Sequence, residues 1–279
     1  EITSGLVSAF SEIPRHIPKK PPRFTYGNIA SFYIIGDHHL GAFCDKGIGR
    51  DDWTIDIARE SLIDSVKDLS EMSPLSNTAY LINMGDFLHA NDSKNKTPQS
   101  GNGLDVDRHF FYAAETSGIL LKESILLLLK KHAKVKVINV RGNHDPDSSM
   151  WLNLVVKAYF EKEKRVEVLD NKHKFIKINF GKNLIVCHHG DRMKWPDMHR
   201  YVVSRYSEDW GNSKFRFGWT GHLHHSASEE IGGMKFERFG VLGPGDAWHD
   251  GEGYHSNRSM CLKVLDSENG ERHSILSCL

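Results

Sequence analysis

The sequence predicts an α/β fold on three observations. Apolar, β-branched runs recur, and each ends in a turn where glycine stands beside Asp, Asn or His. Between the early runs lie long stretches with apolar residues at helical spacing, so the order reads β-α-β twice over. After a helix expected at Met150 to Glu163, the chain changes to short alternating segments, the pattern of a second sheet, expected to be mainly antiparallel.

Taken in order, residues 1–30 are poorly patterned, and Pro14 to Arg23 is basic and proline-rich. Proline blocks helix and central strand alike, so this is read as an extended arm before a single domain over residues 31–279. Strand one, about Phe32 to Gly36, delivers Asp37-His38-His39. A helix from about Trp53 to Leu69 follows, with Ile55, Ala58, Leu62, Val66 and Leu69 on one face. Strand two, about Ala79 to Gly85, presents Asp86; Asn91 to Asp105 is a long polar surface loop, either a lid or decoration. A strongly apolar helix, roughly Asp107 to His132, leads into the run Val135 to Val140 and the turn Gly142-Asn143-His144-Asp145. Segments around Val166–Leu169, Lys174–Phe180 and Leu184–Cys187 are assigned to the second sheet, and Asp197 to Tyr206 to a short helix. Closing strands are expected near Lys235–Phe239, Ser259–Leu265 and Ser274–Leu276, with a turn at Asp266 to Gly270.

The 279 residues suit one hydrophobic core. With 36 basic and 36 acidic side chains, total charge gives no argument for nucleic acid, although a local basic face still binds phosphates. Cys44, Cys187, Cys261 and Cys278 form no C-x-x-C pair, so they are read as reduced and mostly buried, with cysteine ligation of zinc set aside. The longest aliphatic run, Ile125 to Leu129, falls far short of the ~20 residues of a membrane span. With no leader pattern visible, the expectation is a cytoplasmic protein without membrane partners.

The unusual count is histidine, at 17. Five strand ends carry Asp, Asn or His: Asp37-His38-His39, Asp86, Asn143-His144-Asp145, His188-His189-Gly190-Asp191 and Gly221-His222-Leu223-His224. Strand ends of one α/β edge converge, and a convergence of such side chains reads as a metal site. His38, His89, His109, His132, His225, His249, His255 and His273 are read as supporting, surface or packing residues.

These blocks, in this order over residues 32 to 224, resemble the signature of the calcineurin-like metallophosphoesterase superfamily. The resemblance implies a four-layer α-β-β-α sandwich with two mixed sheets and a dinuclear metal site at the C-terminal edge of the strands. Carried over position by position, Asp37, His39 and His224 hold the first ion. Asn143, His222 and either His188 or His189 hold the second, and Asp86 bridges them. His189 is preferred because it directly precedes Gly190-Asp191. His144 matches the family's catalytic histidine, close to the ions but not a ligand.

Mixed carboxylate, imidazole and amide donors suit Mn²⁺, Fe or Zn²⁺ better than Ca²⁺, with Mn²⁺ the first expectation. Two such ions polarise phosphoryl oxygens and lower the pKa of a shared water, so hydroxide attacks phosphorus directly. His144 then protonates the leaving oxygen or stabilises charge on it, and Asp145 is placed to orient the His144 ring.

The substrate is less constrained. Arg141-Gly142-Asn143-His144 also looks like the protein phosphatases' block, but Phe87-Leu88-His89 stands where those continue with Asp-Arg-Gly. The compact length resembles stand-alone bacterial or phage members near the SbcD-like exonuclease branch. The expected activity is phosphodiester hydrolysis on DNA, other nucleic acid or nucleotides. The alternatives are a phosphomonoesterase for a small metabolite or phosphoprotein, and a scaffold that has lost catalysis, disfavoured because every metal position and His144 are filled. Arg192, with Lys194, is a candidate phosphate clamp against a solvated surface role. Trp248 is a candidate platform for a base against a packed aromatic turn.

Overall fold

In the computed structural model, residues 18–47, 51–244 and 257–279 are described. Two sheets pack face to face. The first is six-stranded, in the order β11-β10-β1-β2-β3-β4, with β1 Tyr26–Ile35, β2 Ser76–Asn83, β3 Lys134–Asn139, β4 Val166–Val168, β10 Ser259–Asp266 and β11 Gly270–Cys278. Strands β1 to β4 run parallel, and the hairpin β10–β11 closes the other side antiparallel. The second sheet has the order β5-β6-β7-β9-β8, with β5 Ile176–Phe180, β6 Asn183–Cys187, β7 Phe215–Thr220, β8 Ala227–Ile231 and β9 Met234–Arg238.

Three expectations need correction. Strand β1 begins at Tyr26, so residues 26–30 belong to the sheet rather than to an arm. The segment near Val166 joins the first sheet, parallel to β3, not the second. The second sheet is not mainly antiparallel but mixed, as the resemblance implied, since its central strands β6, β7 and β9 run parallel. The physical reason is the connections: β6 reaches β7 through two helices, and a crossover of that length lets a strand return in the same direction.

Alternation along the strands sorts the core into layers. Phe32, Ile34 and Ile82 of the first sheet meet Ile185, Cys187 and Trp219 of the second, while Tyr33, Ile35 and Leu81 face the other way. That outer face is covered by α1 Ile55–Met72, α2 Phe110–Lys131 and α3 Ser148–Tyr159. Leu184, Val186 and Phe236 on the far face of the second sheet pack on Met198 and Val202 of α4 Trp195–Arg205, which is followed by α5 Ser207–Asn212. The result is the four-layer α-β-β-α sandwich. Cys44, Cys187 and Cys261 are buried and Cys278 is exposed. Among the described residues no helix is long and apolar enough to cross a membrane.

The polar loop after Asn91 is tied down at its root. The Asn91 side-chain oxygen accepts the backbone N–H groups of Asp147 and Ser148 at 2.9 and 3.0 Å, satisfying donors that the start of α3 leaves open.

Candidate metal centre

Both sheets end their parallel strands at one edge, and the turns there are unusual in their backbone. Five non-glycine residues take positive φ among those described, and four of them are His39 (48°), Asp86 (51°), His222 (74°) and His224 (54°). Left-handed geometry is costly for such residues and clusters where a site over-determines it. Glycine makes the close approaches. A Cβ on Gly142 would lie 1.9 Å from Asp86 Oδ1 and 2.2 Å from Asp86 N, so only glycine lets the two turns touch.

The first group joins the two sheets. Asp37 is fully buried and accepts the His222 backbone N–H at 3.1 and 3.2 Å through its two oxygens. His224 Nε2 lies 3.2 Å from Asp37 Oδ2 and 3.1 Å from His39 Nε2. Asp86, His189 and His222 form the second group, with ligating atoms within 4.8 Å of one another. His189 Nε2 lies 3.1 Å from Asp86 Oδ2 and 3.0 Å from Asn143 Oδ1. Its Nδ1 is 2.9 Å from the Met84 carbonyl, so Nδ1 carries a proton and donates it there.

That tautomer leaves Nε2 of a neutral His189 with a lone pair aimed at two oxygen acceptors. Nearby, His39 Nε2 and His224 Nε2 face each other at 3.1 Å, two imidazole nitrogens turned to one point. Burial pulls the His189 pKa down, but the Asp86 and Asp37 carboxylates outweigh it and raise it to about 10. Burial likewise works against ionising Asp37, yet the His189 and His224 imidazoles hold its carboxyl low. The cluster demands positive charge where its donors converge, and carboxylate, imidazole and amide groups together fit divalent cations.

Of the two adjacent histidines, His189 turns into the cluster. His188 turns away: its Nδ1 accepts the Gly190 N–H at 2.9 Å, and its ring packs on Phe175 with centroids 4.4 Å apart. His144 reaches the same space. Its backbone N–H donates to Asp86 Oδ1 at 2.8 Å, and its Nδ1 donates to the His89 carbonyl at 2.8 Å, leaving Nε2 as acceptor.

Two residues support the site, His89 as one of the readings the sequence allowed and Asp145 in a way it did not suggest. His89 is buried inside the site, its ring stacked on His144 with centroids 5.3 Å apart and its Nδ1 3.2 Å from His39 Nδ1. The available signal was its place in the same turn as Asp86. Asp145 does not hold the His144 ring. Its carboxylate accepts four backbone N–H groups, from Gly142, Asp86, Phe87 and Leu88 at 2.9 to 3.2 Å, and so pins the Asp86 turn to the Asn143 turn. Burial and the Asp86 carboxylate push its pKa up to about 7 against those donors.

Arg192 is exposed, 3.5 Å from Asp191 Oδ2 and in contact with Gln99 of the 91–105 loop. It rims an open cavity of about 760 Å³ that has His222 in its wall. Trp248, with His249 and His255, lies outside the described residues.

The family model of the calcineurin-like phosphoesterases matches residues 30–266. The chain belongs to that family. As a calcineurin-like phosphoesterase it is a metal-dependent hydrolase of phosphoesters, and the family uses divalent metals. Solved structures of similar fold include an archaeal phosphodiesterase (13% identity, 89% of this chain and 99% of that chain, TM-score 0.43). Others are the phosphoesterase Yfce from E. coli (13%, 88% and 98%, 0.42) and a Vps29 single mutant from Entamoeba histolytica (14%, 89% and 99%, 0.37). No curated protein matches the sequence.

Proposed function

We propose that this phosphoesterase hydrolyses phosphodiesters of nucleic acid or nucleotides at a dinuclear centre. Of three donor groups at one edge, two support it, Asp37-His39-His224 and Asp86-His189-His222, with Asn143 beside the second; the third, His39-His89-His144, carries no carboxylate. Asp37, His39 and His224 would hold one divalent ion, and His189, His222 and Asn143 the other. Asp86, whose carboxylate faces His189 and is fixed by the His144 N–H, would be shared between them. Bound divalent ions, Mn²⁺ first among them, supply Lewis-acid activation of water and charge for the phosphoryl oxygens.

The chain's own groups do the rest. The His89 carbonyl fixes the His144 tautomer, so the Nε2 of His144 is the atom that holds or passes a proton beside the leaving oxygen. Asp145 keeps the two turns at a fixed separation, which holds Asp86 and Asn143 at the spacing of one site.

The test is hydrolysis of bis-p-nitrophenyl phosphate against p-nitrophenyl phosphate with added Mn²⁺, for wild type and Asp86→Asn. The expected result is diester preference, lost in the variant by about 10²-fold or more, the scale of an electrostatic contact in a dry site. Monoester preference would favour a phosphatase instead.

A further inference from the structure

We propose that the cavity beside His222 is a nucleotide subsite, taking the nucleoside phosphate unit next to the scissile phosphoryl group. This rests on the phosphodiesterase reading. Its volume of about 760 Å³ falls within the ~300–1,000 Å³ usual for small-ligand sites. One end is the metal-ligand turn Thr220 to Leu223, and the walls are the segment after His189-Gly190 and the strands β8 and β9.

Charge is graded along it. Arg238 pairs in register with Thr220 of β7 and with Ala227 of β8, which puts it at the end next to His222. Arg192 and Lys194, a few residues past His189, line the same cavity. The carboxylates nearby are already engaged: Asp191 by Lys174 at 3.0 Å and Arg192 at 3.5 Å, and Asp197 by Arg200. Arg192 is shared with Asp191, but Lys194 and Arg238 make no ion pair among the described residues, and their charge is available to a phosphate. Glu229 pairs with Phe236, two residues further along β8, or about 7 Å from that end. A carboxylate there repels a second phosphate but accepts hydrogen bonds from a base amino group or a sugar hydroxyl.

Trp195 supplies the wall between the two ends. Its ring stacks on Phe236 with centroids 5.8 Å apart, the Arg238 guanidinium lies 5.1 Å from its centroid, and its indole N–H donates to the Thr220 hydroxyl at 3.2 Å. An indole held at three points is a rigid apolar wall for a base or sugar. The arrangement of anion clamp, apolar wall and distal acceptor matches a nucleotide in order and in size. A small aryl diester can use only the wall.

The experiment compares wild type with the exposed double variant Arg192→Ala/Lys194→Ala. Substrates are bis-p-nitrophenyl phosphate and the 5′-phosphorylated dinucleotide pdTpdT, both with Mn²⁺, alongside calorimetric binding of thymidine 5′-monophosphate and of inorganic phosphate. The expected result is a loss of about tenfold or more in kcat/KM on pdTpdT, carried by KM, with the aryl diester changed by less than about twofold. In wild type, thymidine monophosphate should bind more tightly than inorganic phosphate, which lacks the base and sugar, and in the variant its binding should weaken by the same factor. Equal losses on both substrates, or an unchanged rate on pdTpdT, would overturn the subsite while leaving the diesterase reading in place. A wild type inactive on both diesters would overturn the diesterase reading itself, and the subsite with it.

Discussion

The two ends of the first sheet bury polar groups in opposite ways. Where its strands begin, His132 donates from Nδ1 to the Ser76 carbonyl at 2.9 Å and meets the Tyr33 hydroxyl through Nε2 at 2.8 Å. That hydroxyl also reaches Ser73 at 2.7 Å, and Ser76 reaches Ser31 at 3.0 Å, so each group finds its complement within the chain. Where the strands end, His189 Nε2 lies between the Asp86 and Asn143 oxygens, a meeting of acceptors that only a proton or a metal cation relieves, and imidazole nitrogen faces imidazole nitrogen around His39. Burial pushes the His132 pKa down to about 4. At His189 the same burial is outweighed by two carboxylates, and the pKa rises to about 10. One end is completed by the polypeptide; the other is arranged to be completed by a cation.

The contrast can be broken first through the chemistry of the site end. His144→Ala removes the proton-handling group and keeps every residue assigned as a metal ligand, so turnover should fall by about 10²–10⁴-fold with Mn²⁺ affinity unchanged. A matching fall in Mn²⁺ affinity would instead put His144 among the ligands.

Next comes the backbone that frames the site. Gly142→Ala places a methyl 1.9 Å from Asp86 Oδ1; since backbone must move, the cost should be about 3 kcal/mol with weaker Mn²⁺ binding. A urea midpoint equal to that of wild type would show that the turns do not need this contact.

The completed end should break under acid. His132 is neutral in the fold with a pKa of about 4, against 6.5 for the free side chain. Between those values the unfolded chain binds more protons. Its contribution is therefore full above about pH 6.5, falls with pH, and is exhausted below about pH 4. Wild type should lose about 2 kcal/mol from this group between pH 7.5 and pH 5. His132→Asn should lack that share of the pH dependence in urea unfolding; parallel profiles would assign the acid sensitivity elsewhere.

Much of this was legible in the sequence because its signals are local. A β-branched run, a glycine and a polar residue occur within a few positions, so the edge that carries Asp37, Asp86, Asn143, His189, His222 and His224 could be read from periodicity and turn chemistry. What escaped depends on distant partners. The placement of Val166–Val168 in the first sheet, and the parallel centre of the second, follow from crossover connections rather than from any segment's own pattern. Asp145 looked like a neighbour for the His144 ring because it is adjacent in sequence. Its real partners include N–H groups of residues 86 to 88, which only the fold brings near. His188 and His189 are chemically identical, and strand alternation sends one ring to Phe175 and the other to Asp86.

The most direct test of the central claim is a calorimetric titration of the metal-free protein with Mn²⁺, for wild type and Asp86→Asn. The account predicts two ions bound per chain in wild type and weakened binding of both in the variant, because one carboxylate serves both groups. Absence of saturable binding in wild type, or identical binding in the variant, would contradict it.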